Sequence, residues 1–298
     1  MANLRDIKNR IAGVSSIEKI TSAMKMVSSI KSKRAQKQAE SARPYNQKVT
    51  DILRLLVSSD TSLLNEHIFL QSKNDIVKNV VIIVVAGDKG MCGSFNSNLL
   101  KSIDWYLNTM FKEKYSDAVP HILSIGTKST DYFKKKEYNI KGAFPNAFQK
   151  LDFSLTTDVR SLFVEDYNLG NVDRVEIFFN RFVNVMKQEP TKLQLLPIEF
   201  NLNTQEKNKN NLDYIFEPDK KTIFETLLNQ YLDLNIWGAI LESNAAEQAA
   251  RLIAMDKATQ NARDLIKNLE LQYNNARQAA ITTEMLEIVG GAEALNKQ

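Results

Sequence analysis

A glycine-rich segment after the first long apolar run is the strongest candidate for chemistry in this sequence. The run NVVIIVVA ends at Ala86, and GDKGMCGSFN follows it, with glycines at positions 87, 90 and 93. Glycines between a strand and a helix can bring backbone N–H groups close to a phosphate. A Walker loop needs four residues between its glycines and then Lys-Ser/Thr, whereas Gly93 is followed by Ser94-Phe95. The dinucleotide fingerprint GxGxxG is not matched either. The spacing favours a structural turn in which glycine supplies positive φ, with a nucleotide site as the alternative.

The other reactive residue types are too few for the common catalytic or metal sites. Cys92 is the only cysteine, which excludes an intrachain disulfide and an all-cysteine metal site and is typical of a reducing compartment. His67 and His121 are the only histidines and do not have zinc-ligand spacing. No apolar run approaches the ~20 residues of a membrane-spanning helix. The first residues, MANLRDIKNRIAGV, lack an apolar core and a cleavage site, and this predicts a mature N-terminus.

Composition favours long helices with opposite charges at the two ends of the chain. The 298 residues include 10 glycines and 6 prolines, so helix breakers are scarce. The formal net charge of +4 is too small to indicate a polyanionic partner. Residues 1–50 carry eleven basic and three acidic side chains, whereas residues 221–298 carry seven basic and ten acidic ones. We expect the two ends to attract one another.

The N-terminal segment, up to Val57, has apolar residues at helical spacing and predicts a long helix of about 75 Å. Most steps alternate between three and four, as in a coiled coil, but the steps from Val14 to Ile17 and Ile20 are both three. Pro44 predicts a bend or an interruption near Ala42 or Arg43. The residues predicted to face a partner helix are Leu4, Ile7, Ile11, Val14, Ile17, Ile20, Met24, Val27 and Ile30.

The middle of the chain alternates between apolar runs and helical patterns. The runs at 80–86, 121–126, 174–185 and 193–199 predict strands, and helices are predicted near 96–113, 127–138 and 155–169. This alternation predicts a three-layer α/β domain with a largely parallel sheet. The polar stretch NTQEKNKNN at 203–211 predicts a surface loop.

The C-terminal segment, from Pro218 onward, predicts a helix of about seventy residues, or ~105 Å. Its apolar positions are rich in alanine, which allows a second helix to approach closely. We therefore expect the basic N-terminal and acidic C-terminal helices to pair in an antiparallel coiled coil, with the α/β domain inserted between them. The fold class is an α+β composite with segments 1–60, 70–212 and 213–298. The residues predicted to face the partner helix are Ile223, Leu227, Leu234, Leu241, Ala245, Ala249, Leu252, Met255, Ala262, Ile266, Leu269, Tyr273, Ala276 and Ala280.

Three segments in the same order resemble the γ subunit family of the F-type ATP synthase. They are LRDIKNRIAGVSSIEKITSAMKMVSSIK at the start, GDKGMCGSFN after the first strand, and the C-terminal block from ESNAAEQAARLIAM through ARQAAITTEMLEIVGGAEAL. The terminal segments are highly specific. The central domain is similar chiefly through the glycine turn, QLLPI (194–198) and DYIFEPD (213–219).

The resemblance implies a rotor shaft that couples ion-driven rotation of the c-ring to ATP synthesis at the β subunits. It implies an inserted Rossmann-like domain, no bound cofactor or nucleotide, no catalysis by this chain, and a structural role for the glycine turn near a β subunit. The implied partners are the α and β subunits of the catalytic ring, the ε subunit and the c-ring. The implied location is the cytoplasmic side of a bacterial plasma membrane, as a peripheral protein.

The resemblance also implies partner contacts at particular residues. Met24 and Lys25 would face the β levers, although Met24 could instead fill the contact between the two helices. The β catch loops would bind the segment ARQAAITTE (276–284), with Arg251 as a further contact. Tyr214 and Glu217 would lie near the c-ring, although a turn and helix start explain them as well. The implied catch-loop residues are Arg277, Gln278, Thr282 and Glu284.

Two other classes of function compete with this interpretation. The first is a nucleotide- or sugar-phosphate-binding α/β enzyme with helical oligomerisation arms, which the missing phosphate-loop lysine, ribose acid and general base disfavour. The second is a coiled-coil tether for nucleic acid, indicated by the basic run KMVSSIKSKRAQKQ (25–38). That run has no aromatic residues for base stacking, so no nucleic-acid partner is expected.

Overall fold

The computed structural model describes residues 4–59, 67–71, 77–199 and 216–296. Contacts divide the chain into two compact units. The terminal unit comprises Met1–Ser29 and Arg251–Gln298, and the sheet unit comprises Ile30–Ala250. The predicted loop at 203–211 and Tyr214 lie outside the described residues.

The described residues form helices and strands in the order that the sequence predicts, with one additional strand and with the single helix predicted near 96–113 divided into two at Thr109. In chain order they are α1 (Leu4–Ser59), β1 (Asn79–Val85), α2 (Phe95–Asn108), α3 (Met110–Lys114), β2 (Val119–Ile125), α4 (Thr127–Lys135), β3 (Ile140–Phe144), α5 (Ser154–Leu169), β4 (Arg174–Phe182), β5 (Gln188–Leu196) and α6 (Lys220–Asn296). The additional strand is β3, which sequence analysis missed because Lys141 and Gly142 interrupt its apolar pattern.

The described part of the sheet unit contains one five-stranded sheet in the order β3-β2-β1-β4-β5. The pairs β1–β2, β1–β4 and β2–β3 are parallel, and β4–β5 is antiparallel. The prediction of a largely parallel sheet is therefore confirmed. Both faces of β1 are buried, as a parallel sheet with helices on each side requires.

Three layers make up this unit. Val81, Ile83 and Val85 face a core that includes residues of α1, α5 and α6. Val80, Ile82 and Val84, with the opposite parity, face a core formed with α2, α3 and α4. The alternation follows from the two-residue period of a strand, and it confirms the predicted three-layer α/β architecture.

Of the bend or interruption predicted near Ala42 or Arg43, the interruption is wrong, because α1 continues as one helix from Leu4 to Ser59 with Pro44 inside it, and the bend stays a prediction. Proline in a helix interior removes one backbone hydrogen bond. Packing on either side holds the segment: Ala39 and Val49 are buried, and Asn46 Nδ2 donates to Leu234 O on α6 at 3.1 Å. Tertiary contacts therefore outweigh the local preference.

The predicted contact face of α1 is wrong in its middle part. In the terminal unit, Ile7, Thr21 and Ser28 are buried, whereas Ile17, Ile20 and Val27 are more than half exposed. A regular heptad from Ile7 passes through 11, 14, 18, 21, 25 and 28. Positions 11, 14 and 18 are half-buried and Lys25 is exposed, so the structure follows this repeat up to 21 and again at 28, without the predicted overwinding at 14–20. In the sheet unit Ile30 is 71% exposed, and Ser32 is buried in its place.

The contact face of α6 in the terminal unit agrees better with its prediction. Met255, Ala262 and Leu269 are buried, as predicted, and so is Thr259, which the apolar pattern omitted. Successive steps along this face alternate between four and three residues, as expected of a coiled coil. Ala280, at the end of the predicted face, is exposed.

Candidate functional site

The glycine turn between β1 and α2 uses its glycines for different reasons. Gly93 has φ of 62°, and so meets the expectation of positive φ. At Gly87 the reason is close approach, because a Cβ there would lie 2.8 Å from Glu247 Cδ on α6. Met91 also has positive φ, at 59°. The turn is therefore shaped in part to admit α6.

Residues of α6 fill the crevice where an open α/β sheet binds its ligand. Strand order reverses between β1 and β4, and ligands of such folds bind at the carboxyl ends of the strands at this point. Here Ser243 Oγ donates to Val85 O at 3.2 Å, and the Glu247 carboxyl group packs on Gly87. A small apolar cluster closes the same place and contains Cys92, Phe95, Ala246 and Ala250, with Phe182 against it.

The polar groups of the turn are used to hold the turn itself. Asn96 Oδ1 accepts from Gly87 N at 2.9 Å. The Asp88 carboxylate accepts from the backbone N–H groups of Thr127 and Phe148, each at 2.8 Å. Through these two hydrogen bonds, Asp88 connects the turn to α4 and to the segment after β3, and its role is therefore structural.

The most conspicuous buried polar cluster lies on the opposite face of the sheet. Tyr106 Oη donates to Glu176 Oε2 at 2.6 Å, and Lys192 Nζ lies 3.4 Å from Glu176 Oε1. Burial, followed by the hydrogen bond to Glu176, raises the pKa of Tyr106 far above its usual range. Glu176 has no exposed surface. A carboxylate enclosed in this way joins α2, β4 and β5, and it offers no face to a substrate.

A polar layer links the two helices of the terminal unit. Thr259 Oγ1 donates to Thr21 Oγ1 at 2.9 Å, and both threonines are buried. An ion pair lies on each side of this layer: Arg263 Nε to Glu18 Oε1 at 2.9 Å, and Lys25 Nζ to Asp256 Oδ1 at 2.6 Å. Numbers rise along one helix as they fall along the other, so the helices are antiparallel. A buried polar pair in such a contact fixes its register.

Apolar side chains form an exposed stripe on α1 in the terminal unit, here called the outer stripe: Ile17, Ile20 and Val27, with Met26 beside them. Their spacing puts the first three along one side of the helix, next to the buried positions Ile7, Thr21 and Ser28. Contiguous exposed apolar surface usually marks an interaction site. A second exposed set lies near the end of α6 and contains Ile281, Met285, Leu286, Ile288 and Val289.

The residues implied as partner contacts differ in exposure. Met24 is half-buried, and Lys25 is exposed but paired with Asp256. Arg251 is 9% exposed. Glu217 is exposed, just before α6. On α6 the four catch-loop residues, Arg277, Gln278, Thr282 and Glu284, are all exposed, and Thr282 Oγ1 donates to Gln278 O at 2.9 Å.

Sequence analysis missed Glu242, which joins three elements of the sheet unit. Its Oε1 accepts from Arg43 Nη2 on α1 at 2.6 Å and from Arg43 Nε at 3.2 Å. Its Oε2 accepts from Phe182 N, at the end of β4, at 3.0 Å. The available signal was an acidic residue inside the mostly apolar run NIWGAILESNAA. A carboxylate in such a run needs partners.

Comparison with known proteins identifies the family. The profile of the family described as ATP synthase matches residues 3–295. The ATP synthase gamma chain of Chlorobium phaeobacteroides (strain BS1) is 42% identical over 295 residues, 99% of each chain. That of Chlorobaculum parvum is 39% identical over 297 residues, 100% of each chain.

Solved structures support the fold. A chain from the Euglena gracilis mitochondrial ATP synthase (OSCP/F1/c-ring, rotational state 3) is 19% identical, with a TM-score of 0.65 over 98% of this chain and 94% of that one. A second Euglena gracilis chain, from the rotor in rotational state 1, has a TM-score of 0.63 at 19% identity, over 93% and 98% of the two chains. In the described ranges no helix is long and apolar enough to cross a membrane. With a family match along nearly its whole length and full-length relatives at 42% and 39% identity, the chain belongs to the ATP synthase gamma chain family.

Proposed function

We propose that this chain is the non-catalytic central shaft of an F-type rotary ATP synthase. The observation that carries the proposal is that α1 has a buried side and an exposed apolar side in the terminal unit. One face of α1 is buried against α6 with a buried polar pair, while the outer stripe of Ile17, Ile20 and Val27 stays exposed. A helix pair with its own fixed contact and a free apolar side can bear on several partners in turn.

The proposed partners are the α and β subunits of the catalytic ring, the ε subunit and the c-ring. The chain would be peripheral to the cytoplasmic face of a bacterial plasma membrane and held there through the complex. We propose segments 1–60 and 213–298 as the shaft and segment 70–212 as the inserted domain. The occupied crevice at Gly87 supports a domain that binds no nucleotide, because α6 side chains lie where that ligand would bind.

Contacts with the ring are proposed at both helices of the terminal unit. Met24 suits a surface that meets three similar partners, since a thioether adapts to varied packing. Lys25 would exchange between Asp256 and an acidic partner group. Arg251 would contribute only the small exposed part of its side chain. The exposed α6 residues Arg277, Gln278, Thr282 and Glu284 would form hydrogen bonds and a charge-assisted pair with the catch loops.

The foot of the shaft is proposed near the start of α6. Glu217 is exposed there and is available to the c-ring, and Tyr214 is proposed with it from the family resemblance. These contacts would transmit rotation from the c-ring to the shaft, whereas the contacts with the catalytic ring would transmit it to the β subunits.

The mechanism requires three identical β subunits to be made unequal. A lever shifts a conformational equilibrium only through its differential contact with the two states. Moving one site from 1:99 to 99:1 takes about 5.5 kcal/mol of differential interaction. Several apolar and charge-assisted contacts that change with angle can supply this amount, and rotation then changes which site is open.

Rotation in the assembled complex tests this proposal. The tagged chain is purified from its host, and we expect a multi-subunit ATPase to accompany it. A probe is attached through Lys134→Cys, an exposed position on α4, while Cys92 is 2% exposed and reacts slowly. ATP-driven stepping of the probe in three equal sectors is expected. The proposed shaft function is refuted if the chain purifies alone. It is also refuted if the complex hydrolyses ATP while the probe stays stationary.

The end of α6 allows a sharper test. Truncation after Ala280 removes the exposed apolar residues from Ile281 to Val289 together with Thr282 and Glu284. We expect ion pumping per ATP hydrolysed, measured for both protons and sodium ions, to fall before hydrolysis itself is lost. Full torque in the truncated complex would contradict the proposed catch-loop contacts.

A further inference from the structure

The Glu242 carboxylate stands where polar bonds from three elements meet. It accepts from Arg43 of α1 through Oε1 and from the backbone N–H of Phe182, the last residue of β4, through Oε2. The Glu242 side chain is 16% exposed and that of Arg43 is 52% exposed. Hydrogen bonds to an ionised carboxylate are shorter and about twice as strong as neutral ones. Both helices and the sheet are thus tied to one side chain.

Packing beside this carboxylate is incomplete. A cleft of about 180 Å³, half open to solvent, lies between α1, α6 and the β4–β5 pair, and its lining includes Ala39, Arg43, Phe179, Gly238 and Glu242. Dispersion contacts are lost wherever a void replaces neighbouring atoms. Phe179 and Ala239 line this cleft and also belong to the apolar core, so the polar bonds of Glu242 add to apolar packing at its edge.

The backbone of α1 is also weakened at this point. Pro44, next to Arg43, removes one helical hydrogen bond from the middle of α1. The neighbouring anchor, Asn46, donates to Leu234 O, but its own Oδ1 is buried without a partner. A helix with a missing bond beside a cleft bends more easily unless an outside group holds it. The Arg43–Glu242 pair is such a group.

We propose that Glu242 is the joint that transmits torque between the sheet and the parts of α1 and α6 that pack on it in the sheet unit, an inference that rests on the proposed shaft function. Apolar contacts have little directional preference and allow packed elements to slide, whereas hydrogen bonds resist changes of angle. The carboxylate is a positioning group. It touches no substrate and acts by keeping α1, α6 and the end of β4 at fixed angles.

The test measures torsional stiffness in the assembled complex. The catalytic ring is immobilised and stalled with a non-hydrolysable ATP analogue, and angular fluctuations are recorded from a probe at Lys134→Cys on the sheet unit. Glu242→Ala should raise the angular variance by about twofold or more, because variance is inversely proportional to stiffness and the joint is a charge-assisted link. Arg43→Gln, at a half-exposed position, should raise it less, since Glu242 keeps Phe182 N.

A matched control separates positioning from general loss of stability. Asp233→Asn removes the negative charge from the ion pair of Arg160 Nε on α5 with Asp233 Oδ1 on α6, at 2.8 Å, without touching α1 or the end of β4. Its angular variance should equal that of the wild type even if its unfolding temperature falls as far as that of Glu242→Ala. If Asp233→Asn raises the variance equally, or if neither joint variant raises it, the inference is wrong. If Glu242→Ala does not assemble, Arg43→Gln decides the matter alone.

The wild-type complex keeps the two proposals distinguishable. If it does not rotate with ATP, the shaft function fails and the inference falls with it. If it rotates and the joint variants keep wild-type variance, the shaft function stands and the role of Glu242 is refuted.

Discussion

Replacing Thr259 by valine removes the hydroxyl that donates to Thr21 across the terminal unit and keeps the β-branched shape of the side chain. No donor is left without an acceptor, because Thr21 Oγ1 still donates to Glu18 O at 3.1 Å. In the converse variant, Thr21→Val, the Thr259 hydroxyl turns to Met255 O at 2.8 Å. A net hydrogen bond contributes about 0.5–1.5 kcal/mol. Each single variant should therefore lower the free energy of unfolding by about 1 kcal/mol.

The double variant, Thr21→Val with Thr259→Val, should also lose only about 1 kcal/mol. The bond between the helices is already absent in either single variant, so the second replacement removes no further bond between them. The difference between the sum of the single losses and the double loss is then about 1 kcal/mol. A cycle of this kind isolates the energy of the pair.

Urea unfolding of the full chain, followed by far-UV circular dichroism, measures these values. Ile7→Ala, at a buried position of the terminal unit, identifies the transition of that unit. Ser16→Ala is the control, because Ser16 Oγ bonds to Ala12 O at an exposed position and its loss should change stability by less than about 0.5 kcal/mol. Strictly additive losses in the two threonine variants would refute a bond between the helices.

Three further predictions address other parts of the chain. Gly126→Ala should destabilise the sheet unit by about 3 kcal/mol or more in urea unfolding, because its Cβ would lie 1.9 Å from Ala86 O at a φ of 95°. Gly170→Ala is the comparison: its φ is 80° but the space around it is open, so it should cost only about 1–2 kcal/mol. Burial lowers the pKa of His121 from its usual 6.5, so the folded chain favours the neutral imidazole. The free energy of unfolding should therefore fall as the pH decreases below about 6.5. His121→Gln should reduce this dependence of the unfolding free energy on pH, measured from pH 8 to pH 5.5. Ile20→Ser should leave the stability of the isolated chain within about 0.5 kcal/mol of the wild type and lower the yield of assembled complex, and the reverse pattern would place Ile20 in the helix contact.

Most of the elements could be predicted from the sequence because their signals are local. Strands such as β1 are continuous apolar runs in a parallel sheet buried on both sides, and α5 has a clear helical period. β3 could not be predicted in this way, because a short strand with Lys141 and Gly142 in it has no apolar run. The interruption at Pro44 was wrong because contacts from distant parts of the chain decide whether a helix continues.

The candidate site could be predicted only in part, and its errors have a physical cause. Ranking helix faces by hydrophobicity assigns Ile17 and Ile20 to the contact between the helices. The structure buries Thr21 and Ser28 instead, since small side chains let two helices approach closely. Glu242 was missed because a single charged residue is usually solvated, and only its partners from distant segments reveal its role.

The two faces of α1 in the terminal unit therefore answer different physical demands. A contact lined by Thr21 and Ser28 buries little apolar area, so its register must come from directional bonds and from the flanking ion pair of Glu18 with Arg263. The outer stripe, which could have supplied apolar burial within the chain, remains available to partners. This arrangement suits the proposed shaft. Directional bonds inside would resist rotation of one helix against the other, and non-directional apolar contact outside would permit rotation against the proposed ring partners.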